Sequence, residues 1–307
     1  MSFSSLHLPL ADSEPMYSAP PLPPVVRRVA DLREQVAAWR CQGRSVALVP
    51  TMGALHEGHA TLMRRARELA DRVVVSIFVN PTQFGPTEDF TTYPRQEEKD
   101  LARLAHEGVD LLWSPSVDEM YPQGFATRIE PGPLALGLCG PFRPGHFSGV
   151  ATVVTKLLLQ VHPDVACFGE KDYQQLQVIR ATARDLNIAT RIEGVPIARE
   201  ADGLALSSRN AYLSAEERAR ASLLPLILRR TAAELARSGA DFDKILMESK
   251  RSLYENGFGP LDYLEVCDAE DLRPITGSMV HPDRPARLLV AVRLGKTRLI
   301  DNVAVGT

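Results

Sequence analysis

The stretch SVALVPTMGALHEGHATLMRRARELADRVVVSIFVN (45–80) decides the fold, because three patterns succeed one another in it. SVALVP (45–50) is a short apolar run, and HATLMRRARELADR (59–72) places Leu62, Met63, Ala66, Leu69 and Ala70 at helical spacing. VVVSIFVN (73–80) is near-continuously apolar, as a strand buried on both faces is. The reading is strand, glycine-bearing turn, helix, strand.

At such a turn the first N–H groups of the helix lack intrahelical partners, and the helix dipole adds partial positive charge. An anion sits well there. PTMGALHEGH (50–59) sets His56 and His59 at i and i+3 in this turn. Zinc needs histidines at i and i+4 with the glutamate next to the first, so the spacing weighs against it. Two histidines solvated at a helix N-terminus are the bland alternative. Gly53 and Gly58 weaken that alternative, since they let a ligand approach the backbone closely. The third reading is that both rings donate hydrogen bonds to the phosphates of a nucleotide.

The alternation continues outward. DLREQVAAWRCQG (31–43) reads as a helix ending at Gly43, with SVALVP as the first strand after it. A helix over roughly 96–107 follows the loop NPTQFGPTEDFTTYPR, and VDLLWSP (109–115) is a third strand. GVATVVTKLLLQVHP (149–163) reads as an amphipathic helix before the strand DVACFGE (164–170). The helix KDYQQLQVIRATARDLN (171–187) is entered straight from that strand, and TRIEGVP (190–196) is the last parallel strand. This specifies an α/β fold, a Rossmann-like open parallel sheet with helices on both faces.

Beyond residue 198 the pattern changes. Helices near 214–236 and 241–256 precede LDYLEVCD (261–268), RLLVAVRLG (287–295) and KTRLIDNVAV (296–305), the last two as an antiparallel hairpin about Gly295-Lys296. We expect a smaller C-terminal α+β domain. The division is then a disordered extension or loosely docked arm over 1–24, a Rossmann-like domain over 25–197 and the smaller domain over 198–307.

Composition narrows the function. The 307 residues, 45% hydrophobic and 24% charged, suit two domains with their own cores. No apolar run approaches the ~20 residues of a spanning helix, so no membrane partner is expected. A net charge of −3 without a long basic stripe argues against nucleic-acid binding. Cys41, Cys139, Cys167 and Cys267 are far apart with no CxxC pair, which suggests free thiols in a reducing, cytoplasmic setting. The first 24 residues, rich in Pro and Ser, lack the basic and apolar regions of a signal peptide.

In an open parallel sheet, ligands bind outside the carboxyl ends of the strands. The polar stretches PTMGALHEGH, NPTQF, FGEKDYQQ and AREADGLALSSRN all fall at such ends. Lys171 opposes the dipole of the helix it opens, a penalty that a bound anion reverses. Ser207, Ser208 and Arg209 offer two hydroxyls and a guanidinium for the β and γ phosphates. Asn80 and Gln83 are neutral amides able to orient hydroxyls and a carboxylate. Arg143 and His146 add to a Gly/Pro-rich loop, RPGHFSGV (143–150), where helix capping near Ser148 is the plain alternative.

Taken together, PTMGALHEGH, FVNPTQFG, YPR, RPGHFSGVATVV, FGEKDYQQL and DGLALSSRNAYLS resemble the pantothenate synthetase (pantoate–β-alanine ligase) family in order and approximate spacing, over about residues 25–307. HxGH followed by an SSR loop also marks the wider nucleotidyltransferase superfamily to which that family belongs. The resemblance implies an ATP-dependent ligation through a pantoyl adenylate, with Mg²⁺ arriving on ATP and no dedicated metal ligands in the chain. It implies that Met52, Gly53, Ala54, Leu55, His56, Glu57, Gly58 and His59 form the ATP-phosphate loop, with His59 as proton donor and His56 beside it. Gly169, Glu170, Lys171 and Asp172 would line the nucleotide, Lys171 facing the phosphates as a third catalytic group and Asp172 the ribose. Ala198 would lie near adenine, with Leu206, Ser207, Ser208 and Arg209 closing the far side. Gln83 and Gln175 would hold pantoate, and Gln83 would also border β-alanine. The smaller domain would act as a lid, and a homodimer is implied.

Two positions depart from the family pattern. Leu206 stands where methionine usually precedes SSR, a swap of similar volume. Cys139 stands where a Leu-Glu-Gly pattern usually puts glutamate, which bears on any loop-ordering or dimer-contact role of that side chain. Two rivals remain. An HxGH nucleotidyltransferase acting on a phosphorylated substrate would need a basic substrate pocket, where NPTQF offers amides. A nucleotide-binding regulator without catalysis would have no need of His56, His59, Lys171 and Arg209 together.

Overall fold

The βα alternation builds a six-stranded parallel sheet, described in a computed structural model for residues 20–86, 88, 90–277 and 285–306. Residues 1–19, most of the expected extension, lie outside the described residues. The chain joins the fold at Pro24, whose carbonyl accepts from Leu112 N–H at 2.9 Å. A two-residue edge strand that sequence patterning did not show, β1 (Val25–Val26), comes first. SVALVP is therefore the second strand. It is followed, in order, by α1 (Val29–Cys41), β2 (Val46–Thr51), α2 (Glu57–Leu69), β3 (Arg72–Ile77), α3 (Glu97–His106), β4 (Leu111–Trp113) and the short α4 (Val117–Met120). Then come α5 (His146–Val161), β5 (Val165–Gly169), α6 (Tyr173–Asp185) and β6 (Arg191–Val195).

The sheet order is β1-β4-β3-β2-β5-β6. The chain thus runs outward from β2 to one edge and returns to β5 on its other side. A topological switch lies between β2 and β5, where ligand crevices form. Along β2, Val46 and Leu48 face α1, α5 and α6, whereas Ala47 and Val49 face α2. Burial on both faces is why the run reads as continuously apolar.

α5 corrects an expectation. It starts at His146, three residues earlier than its apolar pattern suggested, behind Gly145 at φ 79° with no side-chain cap, so Ser148 caps nothing. It is not amphipathic: from His146 to Val161 only Leu159 is exposed, because α1, α6, the sheet and the Pro81–Gln83 turn enclose it. Gly149 makes the last contact possible, since a Cβ there would overlap the Thr82 carbonyl. α6 is also not entered directly from β5; a 3-10 turn, Glu170–Asp172, intervenes.

The smaller unit holds α7 (Ala215–Ala221), α8 (Leu223–Leu235), α9 (Phe242–Glu255), β7 (Phe258–Asp268), β8 (Ala286–Leu294) and β9 (Thr297–Val305). The expected 214–236 helix is split at Ser222 into α7 and α8. The three strands form an antiparallel sheet, and the hairpin turn is Gly295-Lys296, with Leu294 opposite Thr297 and Gly295 at φ 58°. Leu288, Val290 and Val292 of β8 pack on the unit's own helices. The alternate residues Leu289 and Ala291 pack against Phe147, Ala151, Tyr173 and Val178 of α5 and α6. Both faces of this sheet are thereby buried.

Candidate active site

His56 is the N-cap of α2, and its Nδ1 accepts from Gly58 N–H at 3.1 Å. His59 Nδ1 accepts in return from His56 N–H at 3.2 Å, and the two ring centroids are 4.2 Å apart. This is a capping box made of two imidazoles. An accepting Nδ1 places the proton of each neutral ring on Nε2, free of the cap and able to donate. Burial lowers His56 to about 4, assisted by Lys171 and Arg103 and opposed by Glu57. Burial lowers His59 to about 3, assisted by His56 and opposed by Asp172. Both rings are neutral donors at pH 7.

The turn before the cap is held by a residue that sequence reading missed. Asp100, 2% exposed in α3, accepts from Ala54 N–H at 3.0 Å and Leu55 N–H at 2.8 Å. Ala54 sits at φ 51° and Gly53 at φ 82°. The glycines make room for protein groups: a Cβ on Gly53 would come 3.0 Å from Asp100 Oδ2, and one on Gly58 2.9 Å from His56 Cε1. Tight packing of cap and turn explains them better than close approach of a ligand.

A cavity of about 240 Å³ opens at the switch point between β2 and β5. Of the expected residues, Met52, His56, Gly58, His59, Gln83, Gly169, Lys171, Asp172, Gln175, Ala198, Leu206, Ser207, Ser208 and Arg209 line it. Gly53, Ala54, Leu55, Glu57 and Glu170 do not. The first three form the turn on Asp100, Glu57 pairs with Arg64 at 2.6 Å and Arg103 at 3.3 Å, and Glu170 turns to Arg287 at 3.4 Å. Beyond the polar end, the wall is apolar: Phe78, Val150, Val153, Val154, Leu157 and Phe168. Most of that wall lies within the apolar α5 run, which gave a hint of burial but none of a pocket.

Gln83 is set by a buried amide. Asn80, 1% exposed, donates to Gln83 Oε1 at 3.0 Å and to the Gly149 carbonyl at 3.2 Å, while Tyr121 OH donates to its Oδ1 at 2.8 Å. Gln83 Nε2 contacts Met52 Sδ at 3.1 Å. Arg143 can only donate, so His146 Nε2 accepts from it at 2.8 Å and His146 Nδ1–H donates to the Gln83 carbonyl at 2.9 Å. Burial, then Arg143, lowers His146 to about 4. Burial opposes the charge of Asp172, but Lys171, Arg209, Arg143 and His146 together hold its carboxylate below the ordinary range. Lys171 Nζ is 3.9 Å from that carboxylate.

A second cavity, about 470 Å³, lies between the start of α6 and the β8–β9 hairpin and shares Lys171, Asp172, Gln175, Ser207 and Arg209 with the first. Cys139 lines it, with Sγ 3.1 Å from Tyr263 OH and 3.4 Å from Arg298 Nη2. The arrangement joins neutral donors, a lysine, an arginine and two hydroxyls at one end of a cleft to amides and apolar surface at the other. It suits a polyphosphate next to a small, partly apolar carboxylic acid. Among the described residues, no group of three or more His, Cys, Asp or Glu side chains is placed to hold a metal ion, and no helix is long and apolar enough to cross a membrane.

A family profile described as pantoate-beta-alanine ligase matches residues 24–304. A pantothenate synthetase from Paramagnetospirillum magneticum is 60% identical over 283 residues, 92% of this chain and 97% of the relative. The crystal structure of pantothenate synthetase from Thermus thermophilus superposes with a TM-score of 0.83 at 47% identity, covering 91% of this chain and 98% of that one. A pantoate-beta-alanine ligase from Francisella tularensis, solved in complex with beta-gamma ATP and beta-alanine, has a TM-score of 0.75 at 35% identity, with 92% and 97% covered. With the profile spanning nearly the whole chain and the cleft gathering the residues the family motifs supply, this protein belongs to the pantoate–beta-alanine ligase family.

Proposed function

We propose that this chain condenses pantoate with β-alanine at the expense of ATP, through a pantoyl adenylate. One observation carries the reading: a single cleft at the switch point places His56, His59, Lys171, Ser207, Ser208 and Arg209 beside Gln83, Gln175 and an apolar wall. In the first half-reaction a pantoate carboxylate oxygen attacks the α-phosphorus of ATP and pyrophosphate leaves. In the second, the β-alanine amine attacks the acyl carbon, AMP leaves and the nitrogen gives up a proton.

Adenylation needs position and charge stabilisation and no covalent nucleophile. Lys171 and Arg209 meet the β and γ phosphates, with the Ser207 and Ser208 hydroxyls alongside. The Nε2–H groups of His56 and His59 donate to phosphate oxygens as charge grows on them, and His59 is the deeper of the two. Asp172 faces the ribose hydroxyls and Ala198 the adenine. Gln83 and Gln175 orient pantoate, whose dimethyl group fits the α5 wall, and Gln83 also borders β-alanine. Asp172 lines both cavities but no cluster of three or more metal-ligating side chains exists among the described residues, so Mg²⁺ would be held chiefly by phosphate oxygens and would supply charge neutralisation for the leaving group.

The adenylate must be kept from water, and residues 198–307 serve as the cover over the cleft. Cleavage by a protease between residues 196 and 210, if equal with and without ATP plus pantoate, would count against that role. The enzyme acts as a cytoplasmic homodimer on this reading, a state that sedimentation measures directly. The primary test is pyrophosphate release from ATP and Mg²⁺ with pantoate, with and without β-alanine. Release should require pantoate, turn over repeatedly only with β-alanine, and be lost in His59→Ala. Release that ignores pantoate would overturn the assignment.

A further inference from the structure

The turn that carries Lys171 is gripped from the smaller unit. Asn302 of β9, 2% exposed, donates through Nδ2 to the carbonyls of Glu170 at 2.9 Å and Lys171 at 3.1 Å. Its Oδ1 accepts from Arg287 Nη1 at 2.6 Å. Arg287 of β8 lies 4.0 Å from the centre of the Tyr173 ring and 3.4 Å from Glu170 Oε2. Tyr173 OH in turn donates to the Ala269 carbonyl at 2.9 Å. Residues 170–173 are therefore held by side chain or carbonyl at every position except Asp172, which is left to face the cleft with the Lys171 ammonium.

An amide is the group this junction requires. The guanidinium can only donate, so it fixes Oδ1 as acceptor and turns both Nδ2 hydrogens toward the carbonyls. Asn302 borders the larger cavity, but those two hydrogens are already used within the protein. The grip matters because Lys171 is a flexible four-carbon stem whose reach is defined by its backbone, and because its charge opposes the dipole of α6 until an anion arrives.

Resting on the function proposed above, we infer that Asn302 is a positioning residue for adenylation: by holding the Glu170 and Lys171 carbonyls from the second sheet, it fixes where Lys171 meets the polyphosphate. The amide-forming half-reaction, which starts after pyrophosphate has gone, does not depend on it. The smaller unit then contributes to chemistry through a fixed joint, about which any closing motion must pivot.

The test compares the half-reactions in the full-length enzyme. Asn302→Asp keeps the shape and the Arg287 contact but presents oxygen to two carbonyls. Pyrophosphate release in a single turnover of ATP and pantoate should fall about 10- to 100-fold, as expected for a catalytic group displaced by about 1 Å. Amide formation from preformed pantoyl adenylate and β-alanine should keep the wild-type rate per folded molecule. Asn302→Ser, with one hydroxyl donor, should lose less in the first step and nothing in the second, and serves if the carboxylate prevents folding. Equal losses in both steps would reduce Asn302 to a stabilising contact and overturn the inference, as would no loss in either. Failure of the wild-type chain in both steps would instead overturn the functional reading beneath it.

Discussion

Replacing Asp100 by asparagine tests how the histidine-bearing turn is held. The carboxylate uses one oxygen for Ala54 N–H and the other for Leu55 N–H, at 3.0 and 2.8 Å. The substituted amide would keep one acceptor and turn an NH₂ toward a backbone donor. A hydrogen bond to a charged group contributes about 1.5–3 kcal/mol, and an unpaired buried donor costs about 1–3 kcal/mol. The two overlap, so Asp100→Asn should destabilise by about 2–4 kcal/mol. Ala54, a non-glycine residue at φ 51°, would then relax toward an ordinary conformation and carry the His56 cap with it. Urea unfolding followed by the fluorescence of buried Trp39 and Trp113 measures the first effect. The second is a fall of about 10- to 100-fold in kcat/KM for ATP. An unchanged midpoint with unchanged kcat/KM would refute the idea that this carboxylate holds the turn. A raised midpoint would show that its desolvation outweighs its hydrogen bonds.

Packing, the pH response and an ion pair within the smaller unit can each be tested in the same way. Gly149→Ala should push α5 off the Pro81–Gln83 turn, costing about 1–3 kcal/mol and raising KM for pantoate more than for ATP; steady-state kinetics with each substrate varied shows the difference. His56, His59 and His146 titrate at about 4, 3 and 4 in the folded chain against an ordinary 6.5, so below pH 6.5 the unfolded chain binds more protons. Stability is fully present above pH 6.5 and declines as pH falls toward about 3, and His56→Gln should flatten that decline in a pH series of denaturation midpoints. Asp301, 2% exposed, pairs with Arg199 at 2.8 and 2.9 Å, so Asp301→Ala leaves a quarter-exposed guanidinium with the Gly203 and Asn302 carbonyls and should cost about 1–3 kcal/mol by the same unfolding assay.

What the sequence showed and what it hid divide along physical lines. β2, β3 and β5 read clearly because burial on both faces makes them continuously apolar, and the motif-bearing loops followed from their positions at strand ends. β1 was hidden because two residues carry no period. α5 was misread because helical periodicity presumes one wet face, and this helix has none. Asp100 was missed because its partners are backbone N–H groups 45 and 46 residues away, invisible to any side-chain motif. Glu57 and Glu170 came with the family motifs, and the pairing of their carboxylates with Arg64, Arg103 and Arg287 could not be read from a motif, because neighbours on a turn point in different directions. His56 and His59 posed a choice between helix end and phosphate binding, and the geometry shows that one nitrogen of each ring serves the helix while the other is available to a ligand.

The enclosed helix α5 has a consequence for redesign. Val150, Val153, Val154 and Leu157 are pocket wall and packed interior at once. With pantoate seated as proposed, the bulk of acid that fits is set by this wall, and libraries that diversify only surface segments should leave that limit untouched. Enlarging the wall by a single truncation would be felt as lost core volume, up to about 2–5 kcal/mol for a leucine-to-alanine change. A variant that takes a bulkier acid has to be found by exchanging volume across the helix, adding behind α5 what is removed in front.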